Sequence, residues 1–284
     1  MLRSFSFIFA LLFATAARAQ TTGDFTLTGG ETTYEVQAGD SLVLVGARFG
    51  VDFRFIADQN GLSRFARLRV GQKLRVDNRH LVPLALTDGI VINIPQRMLF
   101  LFKSRALLAA FPISAGRPDW PTPTGKFKVL EKAKDKPWLI PESIREEEKR
   151  AEKRIPPGPE NPLGGCWIRI TPDCGIHGTI RPSSIYQFET HGCIRLRNQD
   201  IASLYAQVDL GMPVHVIYQP VLLARVYGAA YLEVHPDIYR LKGSPLRIAT
   251  QRVQQLGLTH EIDWKRLEET IRAKSGVARS LVDH

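Results

Sequence analysis

From residue 33 the apolar positions first alternate, in Thr33-Tyr34-Glu35-Val36, and then recur at helical spacing in Leu42, Val45 and Phe49. A strand therefore gives way to a helix across the turn Ala38-Gly39-Asp40, with Asp40 or Ser41 as its cap and Gly50 as its stop. Asp52 can cap a second short helix carrying Phe53 and Ile56, which ends at Asn60-Gly61. After Leu68-Arg69-Val70 the chain turns at Gly71, and Gln72 to Val76 form a closing strand. The pattern over residues 32 to 78 thus predicts a small βααβ unit.

From Gly89 the pattern becomes one of strands. Ile90-Val91-Ile92-Asn93-Ile94 and Met98-Leu99-Phe100-Leu101-Phe102 are apolar runs parted by Pro95-Gln96-Arg97, a hairpin, and Leu107 to Ile113 can pair beside them. Pro121-Thr122-Pro123-Thr124-Gly125 forms a stiff turn into Lys126 to Leu130. Residues 131 to 159 are charged, punctuated by prolines and helix-capable from Ser143 to Arg154. The run Glu146-Glu147-Glu148-Lys149-Arg150 reads most simply as a solvated helix face, with a lid over a cleft as the alternative. Further on, Trp167 to Ile170 is a strand whose hairpin partner delivers His177. Beyond Tyr218, Tyr231 to Val234 reads as a strand, and Trp264 to Lys274 as a helix capped by Asp263, with Trp264, Leu267 and Ile271 on one face.

Composition narrows the class. An apolar fraction of 44% and a charged fraction of 23% are those of a globular protein, and 284 residues allow two or three units with real cores. Arg3, the apolar run Phe5 to Ala14 and Ala17-Arg18-Ala19 read as a signal peptide over residues 1–19, too short to span a membrane comfortably. The mature chain is then exported, with no stable membrane insertion. Lys and Arg total 38 against 28 acids, a formal charge of +10; loss of Arg3 and Arg18 with the leader leaves +8. Such a balance favours an anionic envelope polymer or membrane surface, and no nucleic-acid motif is visible. Three cysteines, Cys166, Cys174 and Cys193, leave at least one thiol unpaired in an oxidising compartment. A Cys166-Cys174 bridge is conceivable, although the two sit on the arms of one hairpin and need not face each other.

The densest chemistry lies in Ile176-His177-Gly178-Thr179 and Thr190-His191-Gly192-Cys193-Ile194-Arg195-Leu196. Twelve residues separate His177 from Thr190. A thiolate attacks, a nearby imidazole takes its proton and later returns one to a leaving amine, and backbone N–H groups near Gly192 and Cys193 can meet a developing oxyanion. By local geometry alone, either histidine can be the base. Cys174-x-x-His177 has metal-ligand spacing, but His191-x-Cys193 is too tight for the usual second pair, so no metal is expected. In a purely structural reading the histidines are satisfied loop residues and Cys193 is an inert buried thiol.

Two resemblances rest on these residues. Residues 32 to 78 resemble a LysM module through Tyr34-Glu35-Val36, Ala38-Gly39-Asp40-Ser41-Leu42 and Leu68-Arg69-Val70-Gly71-Gln72-Lys73-Leu74, which implies binding to peptidoglycan glycan. Residues 89 to 219 resemble the L,D-transpeptidase catalytic (YkuD) domain, whose signature is a histidine followed at about this distance by Ser/Thr-His-Gly-Cys. Thr122-Pro123-Thr124-Gly125 and Asn161-Pro162-Leu163-Gly164 support the likeness, and the whole chain resembles the ErfK/YbiS group of periplasmic enzymes. The implied fold class is a mostly β catalytic domain, a β-sandwich with a helical lid, beside the βααβ LysM domain and an α/β C-terminal extension over 220–284. The family implies Cys193 as nucleophile, His177 as base, the Gly178 carbonyl orienting the imidazole, and His191 positioning thiol and substrate. Thr190, Gly192 and Arg195 would contact substrate or brace the loop; Thr190 stands where serine is frequent, and Arg195 where asparagine occurs in some members.

The implied reaction is attack on the third residue of a peptidoglycan tetrapeptide stem, expulsion of D-alanine and resolution of a thioester, with no cofactor. A neighbouring stem as acceptor gives a 3-3 cross-link, an envelope lipoprotein a covalent anchor, and water an L,D-carboxypeptidase. Two rivals stand beside it. In the common NlpC/P60-type cysteine peptidases the cysteine precedes the histidine, the reverse of the order here. A non-catalytic peptidoglycan-binding envelope protein would not require both His177 and Cys193.

Overall fold

The structure, a computed structural model, describes residues 24–282; the signal peptide expected over residues 1–19 lies outside them. Among the described residues no helix is long and apolar enough to cross a membrane.

The βααβ unit forms as its pattern predicts. Strands Glu31–Glu35 and Lys73–Asp77 pair antiparallel, with Tyr34 opposite Leu74, and helices Leu42–Phe49 and Phe53–Gln59 lie between them in sequence. Of the two candidate caps Ser41 takes the role, accepting from the Leu44 N–H, while Asp40 accepts from the Gln37 N–H and from Arg48. Gly50 stops the first helix at φ 69°, a conformation that favours glycine. The apolar faces meet in a core of Leu42, Val45, Ile56, Leu74 and Val76, each such side chain stabilising the unit by about 1.5–3 kcal/mol on burial.

Two sheets make up the centre of the molecule. In one the order is Ala106–Pro112, Met98–Lys103, Gly89–Asn93, Pro213–Ile217, Gly125–Lys128, antiparallel except for the parallel pair Gly89–Asn93 and Pro213–Ile217. The other runs Glu131–Lys134, Cys166–Arg169, Gly175–His177, Ile194–Arg195. Ile90, Ile92, Leu99 and Leu101 of the first sheet share one core with Ile168, Ile176 and Ile194 of the second, and Ile201 and Leu204 of helix Asn198–Gln207 join it. The opposite face, with Val91, Phe100 and Phe102, is covered by Val82 and Tyr186. Cover on both faces is why these strands read as unbroken apolar runs instead of alternating ones.

The C-terminal extension is α/β. Strands Val221–Val226, Ala229–Val234 and Arg279–Ser280 form a sheet against helices Pro245–Gln255 and Trp264–Ala273, around Leu232, Val253 and Leu267. Asp263 caps the second helix as expected, accepting from the Arg266 N–H. The helical stretch expected over 143–154 is shorter, Glu142–Glu148. Lys149 turns left-handed at φ 52°, and the chain then doubles back so that Arg154–Ile155 pairs with Trp138–Leu139. All three cysteines are free thiols, so Cys166 and Cys174 are not bridged.

One buried polar cluster ties these parts together. Glu233 is wholly buried; its Oε1 accepts from His80 Nδ1 at 2.9 Å, Gln96 Nε2 at 2.9 Å and His235 Nε2 at 2.7 Å, and its Oε2 from the Leu81 N–H at 2.6 Å. The far nitrogen of His80 reaches the Gly50 carbonyl at 3.0 Å. Burial alone would raise the Glu233 pKa, but the charge of His80 and hydrogen bonds from His235 and His80 hold it down at about 2. A depressed carboxylate stabilises the fold above its unfolded pKa and loses that contribution as pH falls toward the folded value. Glu233→Ala strands these donors in the interior, and urea denaturation at neutral pH should show a loss of about 3–5 kcal/mol. The deficit should shrink as pH falls below the ordinary carboxylate range toward 2.

Candidate active site

Three short strands bring the sulfur chemistry together. Cys166–Arg169 and Gly175–His177 form the expected hairpin, with Trp167 opposite His177. Ile194–Arg195 then adds in parallel, placing Ile176 beside Ile194 and His177 beside Arg195. Cys193, the residue before that strand, lies against the segment before Ile176, its Sγ 3.8 Å from the Asp173 carbonyl oxygen.

His177 is buried, and its Nδ1 sits 2.7 Å from the Gly178 carbonyl oxygen. A carbonyl only accepts, so Nδ1 carries a proton and Nε2 is the nitrogen left to exchange one with the sulfur. The ring also stacks on Trp167, with centroids 5.8 Å apart. The Cys193 thiol is held well below the usual thiol range: the neighbouring Cys174 thiol contributes most, burial opposes it, and His177 adds a hydrogen bond and its charge. Cys174, conversely, is pushed up by its contact with Cys193 and by burial, so it stays a neutral thiol.

The carbonyl that orients His177 is itself fixed by close backbone packing. A Cβ on Gly178 would stand 2.2 Å from Asn198 Oδ1, and one on Gly164 would stand 3.0 Å from the Gly178 Cα. The Gly178 N–H donates to the Leu163 carbonyl at 2.9 Å and the Thr179 N–H to Asn198 Oδ1 at 2.8 Å. Asn161 locks the loop beneath, donating to the Lys136 and Pro156 carbonyls and accepting from the Leu163 N–H. The Asn-Pro-Leu-Gly stretch is therefore a bed for the Gly178 peptide.

Thr190 and Gly192 shape the turn into Cys193. The buried Thr190 hydroxyl donates to the Cys193 carbonyl. Gly192 has φ 97°, which a side chain would strain. Below it, Thr122 accepts from the Gly116 N–H, and the Tyr239 hydroxyl donates to the Gly116 carbonyl. Neither the Gly192 nor the Cys193 N–H has a hydrogen-bond partner among the described residues, so both are available to an oxyanion.

The two histidines have different partners. His191 Nε2 donates to Glu147 Oε2 at 3.0 Å, and its ring meets Trp120 edge-on at 5.2 Å. Glu147, on helix Glu142–Glu148, also takes Arg117, which more than His191 holds its carboxyl below the ordinary range. Arg195 exchanges backbone hydrogen bonds with Ser114 at 2.9 and 3.0 Å and extends its side chain into the cleft wall.

That cleft has a volume of about 550 Å³, and its lining includes Trp120, Trp138, Ile144, Trp167, His177 and Cys193, the size and mixed polarity of a ligand site. A hollow of about 650 Å³ between Pro83–Ala85 and helix Pro245–Gln255 has no cysteine or histidine in its lining and is remote from this chemistry. Among the described residues no group of three or more His, Cys, Asp or Glu side chains is placed to hold a metal ion.

The residues sequence reasoning passed over are Asn198, Glu147 and the non-metal role of Cys174. Asn198 and Glu147 carry no local signal, since each acts on a loop distant in sequence; Cys174 was visible only as a bridge or ligand candidate.

Comparison with known proteins places these features in context. Residues 87–216 match the model of the L,D-transpeptidase catalytic domain (YkuD) and residues 34–77 that of the LysM domain. The "Probable L,D-transpeptidase ErfK/SrfK" of Escherichia coli is 30% identical over 73% of this chain and 71% of its own length. The "Probable L,D-transpeptidase YbiS" of the same species is 29% identical over 73% of this chain and 72% of its own. The crystal structure of L,D-transpeptidase 3 from Mycobacterium tuberculosis is similar over 53% of this chain and 76% of that chain, at 20% identity and a TM-score of 0.37.

Proposed function

The chain belongs to the L,D-transpeptidase family, and from that premise we propose that it transfers acyl groups of peptidoglycan stem peptides through a thioester on Cys193. The observation that carries this reading is the tie of His177 Nδ1 to the Gly178 carbonyl, which leaves Nε2 to serve the sulfur. His177 takes the thiol proton, and Sγ bonds to the carbonyl carbon of the third stem residue. The Gly192 and Cys193 N–H groups receive the oxyanion. As the C–N bond to the terminal D-alanine breaks, the leaving amine takes the proton from His177. An acceptor amine then attacks the thioester and gives up a proton to His177, and the thiolate departs.

His191 positions the substrate side of the cleft, its ring fixed by Glu147 and Trp120. Helix Glu142–Glu148 serves as the lid, and Arg195 and Thr190 brace the substrate loop. A leader over residues 1–19 sends the chain to the periplasm. Residues 32–78 bind glycan, 89–219 carry catalysis, and 220–284 form the extension. The acceptor is the side-chain amine of a neighbouring stem, giving 3-3 cross-links, or a lysine of an envelope lipoprotein, giving a covalent anchor; water gives carboxypeptidase activity.

Mature protein incubated with tetrapeptide-rich sacculi should produce cross-linked muropeptides and free D-alanine, read by mass. Tripeptides alone would replace transfer with trimming, and an unchanged profile would count against catalysis altogether.

A further inference from the structure

Cys174 is neither nucleophile nor base in the reaction above, yet its thiol is buried in the core against the Gly192 turn, 4% exposed. Its Sγ lies 3.3 Å from the Gly192 carbonyl oxygen, and a thiol at that oxygen donates. It is the only hydrogen bond that this carbonyl accepts among the described residues. The Gly192 carbonyl and the Cys193 N–H belong to one planar trans peptide and so point in opposite directions. Holding the oxygen toward Cys174 fixes the N–H toward the other side.

The peptide needs such a hold. Gly192 sits at φ 97° with no Cβ, and nothing lies within 3.4 Å of where one would be, so sterics do little to select one orientation of the unit that follows. On the other side of the nucleophile, the Cys193 carbonyl is pinned by the Thr190 hydroxyl. The two peptide units flanking Cys193 are thus each clamped through their oxygen, one by a hydroxyl and one by a thiol.

We infer that Cys174 is a positioning residue for acyl transfer, its S–H clamping the Gly192 carbonyl so that the Cys193 N–H stays aimed at the oxyanion. The inference rests on Cys193 being the nucleophile. The neighbouring Cys193, and after it burial, keep Cys174 a neutral thiol, so its S–H remains while Cys193 is ionised.

Two reactions of the same sulfur separate this role from a general one. Acylation by a carbapenem passes through a tetrahedral oxyanion, whereas alkylation by iodoacetamide is a direct displacement at carbon and needs no such donor. Both are measured by intact mass on the plateau above each variant's own alkylation midpoint, so that a changed thiolate fraction cannot account for a difference. Cys174→Ala should slow acylation about tenfold, less than the 10²–10³ that loss of an oxyanion donor costs, because the donor is loosened and not removed. Its alkylation should stay within about twofold of the parent, and Cys174→Ser, which keeps a donor, should recover most of the acylation rate. Equal slowing of both reactions, no slowing of either, or a serine variant as slow as the alanine one would overturn the inference. An adduct on Cys174, or acylation persisting in Cys193→Ala, would overturn the nucleophile assignment as well, and the Cys193→Ala control tells the two failures apart.

Discussion

Cys193→Ala should lower stem-peptide transfer by about 10³-fold or more while leaving the thermal transition within a few degrees of the parent. In the proposed reaction the sulfur is the atom to which the acyl group bonds, and neither neighbouring hydrogen-bond donor offers a comparable nucleophile: Cys174 is buried and held neutral, and the Thr190 hydroxyl is committed to the Cys193 carbonyl. Stability should change little because Cys193 is only partly buried and packs at the edge of the core. Carbapenem acylation followed by intact mass is the direct measurement. The parent should gain one adduct and the variant none; an adduct retained by the variant would locate the reactive sulfur elsewhere.

Loss of His177 should be nearly as severe, with kcat falling about 10²–10⁴-fold in His177→Ala. In the proposed reaction the imidazole serves twice, taking the thiol proton before attack and delivering one to the departing amine. It also contributes to the depressed pKa of Cys193, behind Cys174. Removing it should therefore move the iodoacetamide alkylation midpoint to higher pH, so that at neutral pH the thiolate fraction is smaller than in the parent. His191→Ala is the comparison that decides between the histidines: its ring is engaged by Glu147, so the midpoint should stay in place. A shift of equal size in both variants would return the choice of base to where local spacing leaves it.

The parts legible from sequence are those whose signals are local. The βααβ unit follows from alternation, helical spacing, Ser41, Asp52 and Gly50, all of which act within a turn or two of themselves. The central strands were legible as apolar runs, but their parallel pairing, Gly89–Asn93 with Pro213–Ile217, joins segments more than a hundred residues apart and leaves no mark on either. Helix Pro245–Gln255 did have a signal that went unread, Ser244 capping the Arg247 N–H and Pro245 in the first turn. The helix over 143–154 failed for a different reason: its composition is helix-compatible beyond Glu148, but only Ile144 of Glu142–Glu148 is buried, and pairing of the Ile140 N–H with the Lys153 carbonyl redirects the chain. At the site, residue types and chain order picked out His177 and Cys193. What sets His177, unlike His191, beside the strand that follows Cys193 is the parallel addition of Ile194–Arg195 to Gly175–His177, a tertiary fact. Glu233 was harder still, an acid in an alternating strand whose partners His80 and Gln96 lie far back in the chain.

The Glu233 cluster also limits how such a chain can be rearranged in evolution. Three of its donors, His80, Leu81 and Gln96, come from outside the extension, which supplies the carboxylate and the fourth donor, His235, and His80 leans on Gly50, the residue that caps the first LysM helix. Gene fusions that exchange one module for a relative's inherit either a carboxylate without its donors or donors without their carboxylate. A swap therefore keeps the cluster whole only when it carries both of its sides.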